Sequence, residues 1–195
     1  MTTLAISDPV TAPLAASKAD VLYEIVDGRY VELPPMSTFA GLVTSRLTRR
    51  MGIFAETQQL GEVVSEILFG LTPTRRRRPD VAFVSYQRWA RGRPIPSGEP
   101  WPVVPNLGVE VVSPTDDAEP LMRKVVEYFQ ADVEQVWLIY PLLKLVYVYE
   151  SLMKVQGFTE ADELDGGSLL PGFKLVLSAL FADAPVPESD NGAPT

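Results

Sequence analysis

Asp80 follows Pro79 in "RRPDVAFVS", Glu110 stands inside the apolar run "LGVEVV", and Lys124 comes next in "RKVVEY". Glu66 in "GEVVSEILF" is a further carboxylate set among apolar neighbours. A carboxylate is rarely buried unless something pairs with it. Two or three that face one another repel unless a cation sits between them. Mg²⁺ or Mn²⁺ takes oxygen ligands, often one or two carboxylates with waters and a phosphate. Such an ion polarises a phosphoryl oxygen and makes water a better nucleophile. A nearby lysine can orient that water and neutralise charge developing on phosphate.

This chemistry needs neither histidine nor cysteine, and the chain has neither. Their absence excludes zinc sites built on them, thiol nucleophiles, disulfides and every Ser-His-Asp arrangement. A chain free of cysteine also fits a cytoplasmic protein. The 195 residues are enough for one domain with a substantial core. With 46% apolar and 22% charged residues the composition is that of a soluble globular protein. The net charge of −8 argues against bulk packaging of nucleic acid but not against a local basic site. No membrane span is expected, because the strongest apolar stretch, 136–149, is short and interrupted by Pro141 and Lys144. Nor does the N-terminus read as a signal peptide.

The elements that must position these residues follow from periodicity. "VLYEIVDGRYVEL" (21–33) reads as a β-hairpin whose Asp27-Gly28 suits a type I′ turn. Phe39, Leu42, Val43, Leu47, Met51 and Phe54 fall at helical spacing from Thr38 to about Ala55. Residues 61–69, 79–85 and 107–112 are β-rich runs. A helix over 121–131 follows, with Leu121, Val125, Tyr128 and Phe129 on one side, and then strands at 135–140 and 144–150. The segment 171–181 closes the fold with a short helix. The stretch 107–140 is a βαβ unit, so part of the sheet is expected to be parallel. Residues 1–19 and 183–195 read as disordered ends around one domain at 20–182. The segment 90–105, with five prolines and Trp101, is long for an irregular loop and reads as functional or as an exposed flap.

Between Arg75 and Arg93 lie seven arginines and a single acid, Asp80. Arg75, Arg76, Arg77, Arg78 and Arg88 are the candidates for phosphate contacts, with Trp89 as a base-stacking platform. The alternative reading is a solvated turn kept soluble by arginine.

In order and spacing, "YEIVDGRYVEL", "RRPDVAFVS", "LGVEVVSPTDDAEPLMRKVVEYF", "VWLIYP", "VYVYES" and "LPGFKL" resemble the Uma2 family (DUF820) over about residues 20–182. That family belongs to the PD-(D/E)XK restriction-endonuclease-like superfamily. The resemblance implies an α/β fold with a core of helix, three strands, helix and strand, flanked here by the N-terminal hairpin and extra C-terminal strands. It implies that Asp80 and Glu110 are metal ligands and that Lys124 replaces the strand lysine, whose usual place is held here by Val112. Near the start of the first helix, where many relatives carry an acid or histidine, this chain has Thr38, Phe39 and Ala40, and Glu66 is the candidate substitute ligand. The expected function is a Mg²⁺- or Mn²⁺-dependent endonuclease acting on nucleic acid, most readily DNA, and a homodimer is implied by resemblance. The alternative is a nuclease-fold protein without turnover that binds nucleic acid or another protein.

Overall fold

A computed structural model describes residues 21–185 except Thr115. The expected disordered segment 1–19, and residues 186–195 of the expected disordered tail 183–195, lie outside the described residues. The described elements run β1 (Tyr23–Val26), β2 (Arg29–Glu32), α1 (Thr38–Thr57), β3 (Gly61–Ser65), β4 (Phe69–Thr72), β5 (Arg75–Arg77) and β6 (Val81–Ser85). They continue with β7 (Leu107–Val111), α2 (Ala118–Gln130), β8 (Gln135–Tyr140), β9 (Leu145–Ser151), β10 (Lys154–Thr159), β11 (Glu163–Asp165), β12 (Lys174–Val176) and α3 (Leu177–Leu180).

The central sheet has six strands in the order β10-β9-β8-β7-β6-β3. Only β7 and β8, joined through α2, run parallel. A right-handed crossover helix is the usual way to link parallel neighbours, and it places α2 on one face. On the opposite face α1 packs Ala40, Val43, Leu47, Met51 and Ala55 into a core with Val81, Phe83, Leu107, Val109 and Trp137. Ser37 caps α1, its side chain accepting from the Ala40 N–H at 3.3 Å. The α2 face buries Ala82, Val84, Val136 and Leu138 against Leu121, Val125 and Tyr128. Strand alternation therefore sorts β6, β7 and β8 into two cores. At Gly61 a Cβ would stand 2.2 Å from the Val84 carbonyl oxygen, so the β3–β6 approach requires glycine.

The hairpin is present, with positive φ at both Asp27 (49°) and Gly28 (75°), as a type I′ turn demands. It does not stand alone. It joins a second sheet of order β2-β1-β5-β4. The expected single run at 61–69 is two strands, broken at Glu66, which has φ 53° and is exposed. Glu66 is thus a turn residue rather than a buried strand carboxylate. The arginine stretch is neither a turn nor a free basic patch, because Arg75–Arg77 form β5, paired with both β1 and β4. The proline-rich segment is exposed over residues 90–99 and anchored at its end. Trp101 donates its N–H to Leu68, accepts from Gly70 N–H and is 4% exposed beside Phe69 and Trp89.

Candidate active site

Glu110 lies on the α2 face of β7, since Leu107, Val109 and Val111 take the α1 face. Gly108 leaves room there for Tyr128, whose ring lies 3.6 Å from where a Gly108 Cβ would stand. Lys124 and Tyr128 are one helical turn apart on α2, and both reach Glu110. Lys124 Nζ lies 3.0 Å from Glu110 Oε2, and the Tyr128 hydroxyl donates to Oε1 at 2.6 Å. Asp80 precedes β6 directly, and the register Val81↔Val109 and Ala82↔Gly108 puts it on the same face, opposite Glu110. Its Oδ2 accepts the Val111 N–H at 2.5 Å. Its Oδ1 has no hydrogen-bond partner among the described residues.

Asp80, Glu110 and Lys124 therefore converge, and with Glu66 they line one cavity of about 520 Å³. Glu66 stands at its edge. Its backbone N–H donates to the Asp80 carbonyl, and its own carbonyl accepts from the Arg78 guanidinium.

Sequence reading missed Glu24 and Tyr128 as parts of this site. Glu24, on β1 and 1% exposed, accepts from Arg77 at 2.6 Å and from the Arg78 backbone N–H at 3.0 Å, and lies 3.2 Å from Lys124 Nζ. An acid alternating with apolar residues in "YEIV" is the same signal that singled out Glu110, but its partners are brought to it only by the β1–β5 pairing. The signal for Tyr128 was its place four residues after Lys124.

Burial is the largest influence on the Asp80 carboxyl and the Glu110 charge comes next. Together they push its pKa from 3.8 up to about 8. Glu110 is also raised, by burial first, although Lys124 and the Tyr128 hydroxyl oppose the shift. Burial works against the Lys124 ammonium, yet Glu110 and Glu24 outweigh it and hold its pKa above the ordinary lysine value. Lys124 is thus a fixed cation and not a base. It contacts Glu110 and Glu24 directly and acts on Asp80 from farther off, and Asp80 has no ion-pair partner in contact among the described residues.

Four of the five candidate phosphate-binding arginines are engaged internally. Arg77, 5% exposed, bridges Glu24 and Glu127 at 2.6 and 2.5 Å. Arg78 is equally buried and pairs with Glu99 at 2.8 Å. Arg75 contacts Asp27 at 3.0 Å and Gln130 at 3.2 Å. Arg88 binds Glu134 at 2.9 Å and the carbonyls of Val104, Pro105 and Asp132. Buried guanidinium groups demand carboxylate partners, and Glu24 on β1 and Glu127 on α2 supply them to Arg77, Glu99 to Arg78. Arg76, on the other face of β5, has no side-chain partner among the described residues. Trp89 is not an exposed stacking platform either: it is 6% exposed, packed against Trp101 and covered by the Arg93 guanidinium 3.7 Å from its ring centre.

Mg²⁺ or Mn²⁺ is the cofactor expected from the sequence resemblance. Two oxygen-only side chains on adjacent strands, one with a free oxygen and an unbalanced charge, fit a hard cation held by one or two carboxylates and water. They do not form a cage, since among the described residues no group of three or more acids could hold a metal ion.

A helix, an antiparallel strand trio, a crossover helix and a parallel strand, with an acid before one strand and another inside the next, define a restriction-endonuclease-like fold. A family model described as "Putative restriction endonuclease" matches residues 12–178, and the chain belongs to that family, Uma2. Among solved structures, "a putative nuclease belonging to DUF820 from Anabaena variabilis ATCC 29413" superposes with a TM-score of 0.71 at 17% identity. That match covers 82% of this chain and 89% of the other, and at such identity it speaks for the fold alone. No curated protein matches. Among the described residues no helix is long and apolar enough to cross a membrane.

Proposed function

We propose that this Uma2 protein is a metal-dependent endonuclease that hydrolyses phosphodiester bonds, with DNA as the favoured substrate. The observation that carries the reading is the juxtaposition of Asp80 and Glu110 on one sheet face, with Lys124 the one lysine among the described residues that lines their cavity. When bound, Mg²⁺ or Mn²⁺ supplies Lewis-acid polarisation of the phosphoryl group and acidifies water. Asp80 and Glu110 would hold the ion, with Glu66 at the cavity edge. Lys124, permanently charged, stabilises negative charge growing on the phosphate. Tyr128 fixes the Glu110 rotamer, and the Arg77–Glu24 pair fixes the ammonium, so the site is organised before substrate arrives.

A second reading, a nuclease-fold module that binds without cleaving, is favoured by one feature: both Glu110 oxygens already have partners within the protein. Nicking of supercoiled plasmid with Mn²⁺, beside Asp80→Ala, separates the two. Nicking by wild type alone supports the enzyme. Equal inactivity of both, with plasmid still bound, favours the module.

A further inference from the structure

A second cleft, of about 480 Å³, opens along α1 beside the end of β3. Its wall includes Thr44, Ser45, Thr48 and Arg49 from α1 and Ser65 from β3, and it shares Met36 and Glu66 with the carboxylate cavity. We propose that this cleft is a subsite for a second phosphodiester of the nucleic-acid strand, adjacent to the one at Asp80 and Glu110. The proposal rests on the nuclease reading and adds the path of the strand.

Three observations carry it. The two cavities share Met36 and Glu66 and are therefore adjacent, within reach of one strand. The donor chemistry fits, because a phosphodiester only accepts hydrogen bonds, and this wall holds the Ser45, Thr48 and Ser65 hydroxyls and the Arg49 guanidinium, with the Thr44 hydroxyl donating to Met36 Sδ at 3.4 Å, against one carboxylate, Glu66, at the shared end. Gly41, Ser45 and Arg49 recur every fourth residue, as do Thr44 and Thr48, so they form one face of α1. The third is an orphan group. Thr48 Oγ1 is buried with no hydrogen-bond partner, whereas Thr57 on the same helix donates back to the Ile53 carbonyl at 2.7 Å. A buried hydroxyl without a partner is costly, and rotation about χ1 toward the cleft would let a ligand oxygen satisfy it. Arg49 is exposed and has no ion-pair partner among the described residues, whereas Arg75, Arg77, Arg78 and Arg88 are all engaged.

The test is duplex oligonucleotide binding by the full chain in Ca²⁺, followed by fluorescence anisotropy at several salt concentrations. Arg49→Gln is expected to weaken binding about 5–10-fold and to flatten log affinity against log salt by about 0.9, the value of one lost phosphate contact. Thr48→Val is expected to weaken binding about 2–5-fold with the slope unchanged. Lys154→Gln, which removes the same charge on β10 at the opposite sheet edge, is expected to match wild type. If wild type binds and Arg49→Gln matches it, the subsite is overturned and the nuclease reading stands. An equal loss in Lys154→Gln also overturns the subsite, since the effect would then be general charge. If wild type binds neither duplex nor single strand, both readings fall.

Discussion

Replacing Asp80 by Asn should stabilise the metal-free protein, and only above mildly acidic pH. Asn Oδ1 can still accept the Val111 N–H, so the change removes a charge and little else. Asp80 titrates at about 8 when folded, against 3.8 for the free side chain. Between those values the folded chain binds the proton and the unfolded chain does not, so wild-type stability falls as pH rises through this window. Each unit corresponds to about 1.4 kcal/mol, giving a ceiling of about 5–6 kcal/mol. Solvent at the cavity mouth reduces this, and about 2 kcal/mol is expected at pH 8, or about 4–8 °C in Tm. The assay is thermal unfolding of wild type and Asp80→Asn in EDTA from pH 5 to 9. The Tm difference should be small at pH 5 and grow in favour of the variant to a plateau above pH 8. Added Mn²⁺ should then raise wild type alone, by about 2.7 kcal/mol at a hundred times its Kd. A Tm difference that does not change with pH, or a variant less stable at pH 8, would refute the account of Asp80 as a half-buried carboxylate with no cation in direct contact.

Lys124→Ala should lower any nuclease rate by about 10²-fold or more, the scale for loss of one preorganised charge in a transition state, and plasmid nicking at the wild-type rate would remove Lys124 from the chemistry. Arg77→Gln should destabilise the fold by about 3 kcal/mol, because buried Glu24 would keep only Lys124 and buried Glu127 only the 3.8 Å contact with Arg75; urea unfolding measures this, and a change below about 1 kcal/mol would mean the pair is solvated.

Much of this protein was legible from local pattern. The helical stripe of α1, the Asp27-Gly28 turn, the apolar runs of β6 to β8 and the α2 crossover each depend on residues near in sequence, whose period decides the face they bury. The same alternation flagged Glu110 as an acid in an interior strand, and the βαβ unit brought Lys124 to it. Asp80 came through its place before a strand in the same sheet. Charge could not be read this way. "RRRR" looks alike whether it faces water or acids, and its role was decided by β5 pairing with β1. That pairing sets Glu24, more than fifty residues earlier in the chain, against Arg77, and it also holds Lys124 from behind. Composition determined that any acid–base or metal chemistry here must rest on Asp, Glu, Lys, Tyr or the backbone. Only the tertiary structure decided which cations those carboxylates already have, because an ion pair depends on distance in space and on burial, and neither has a period in sequence.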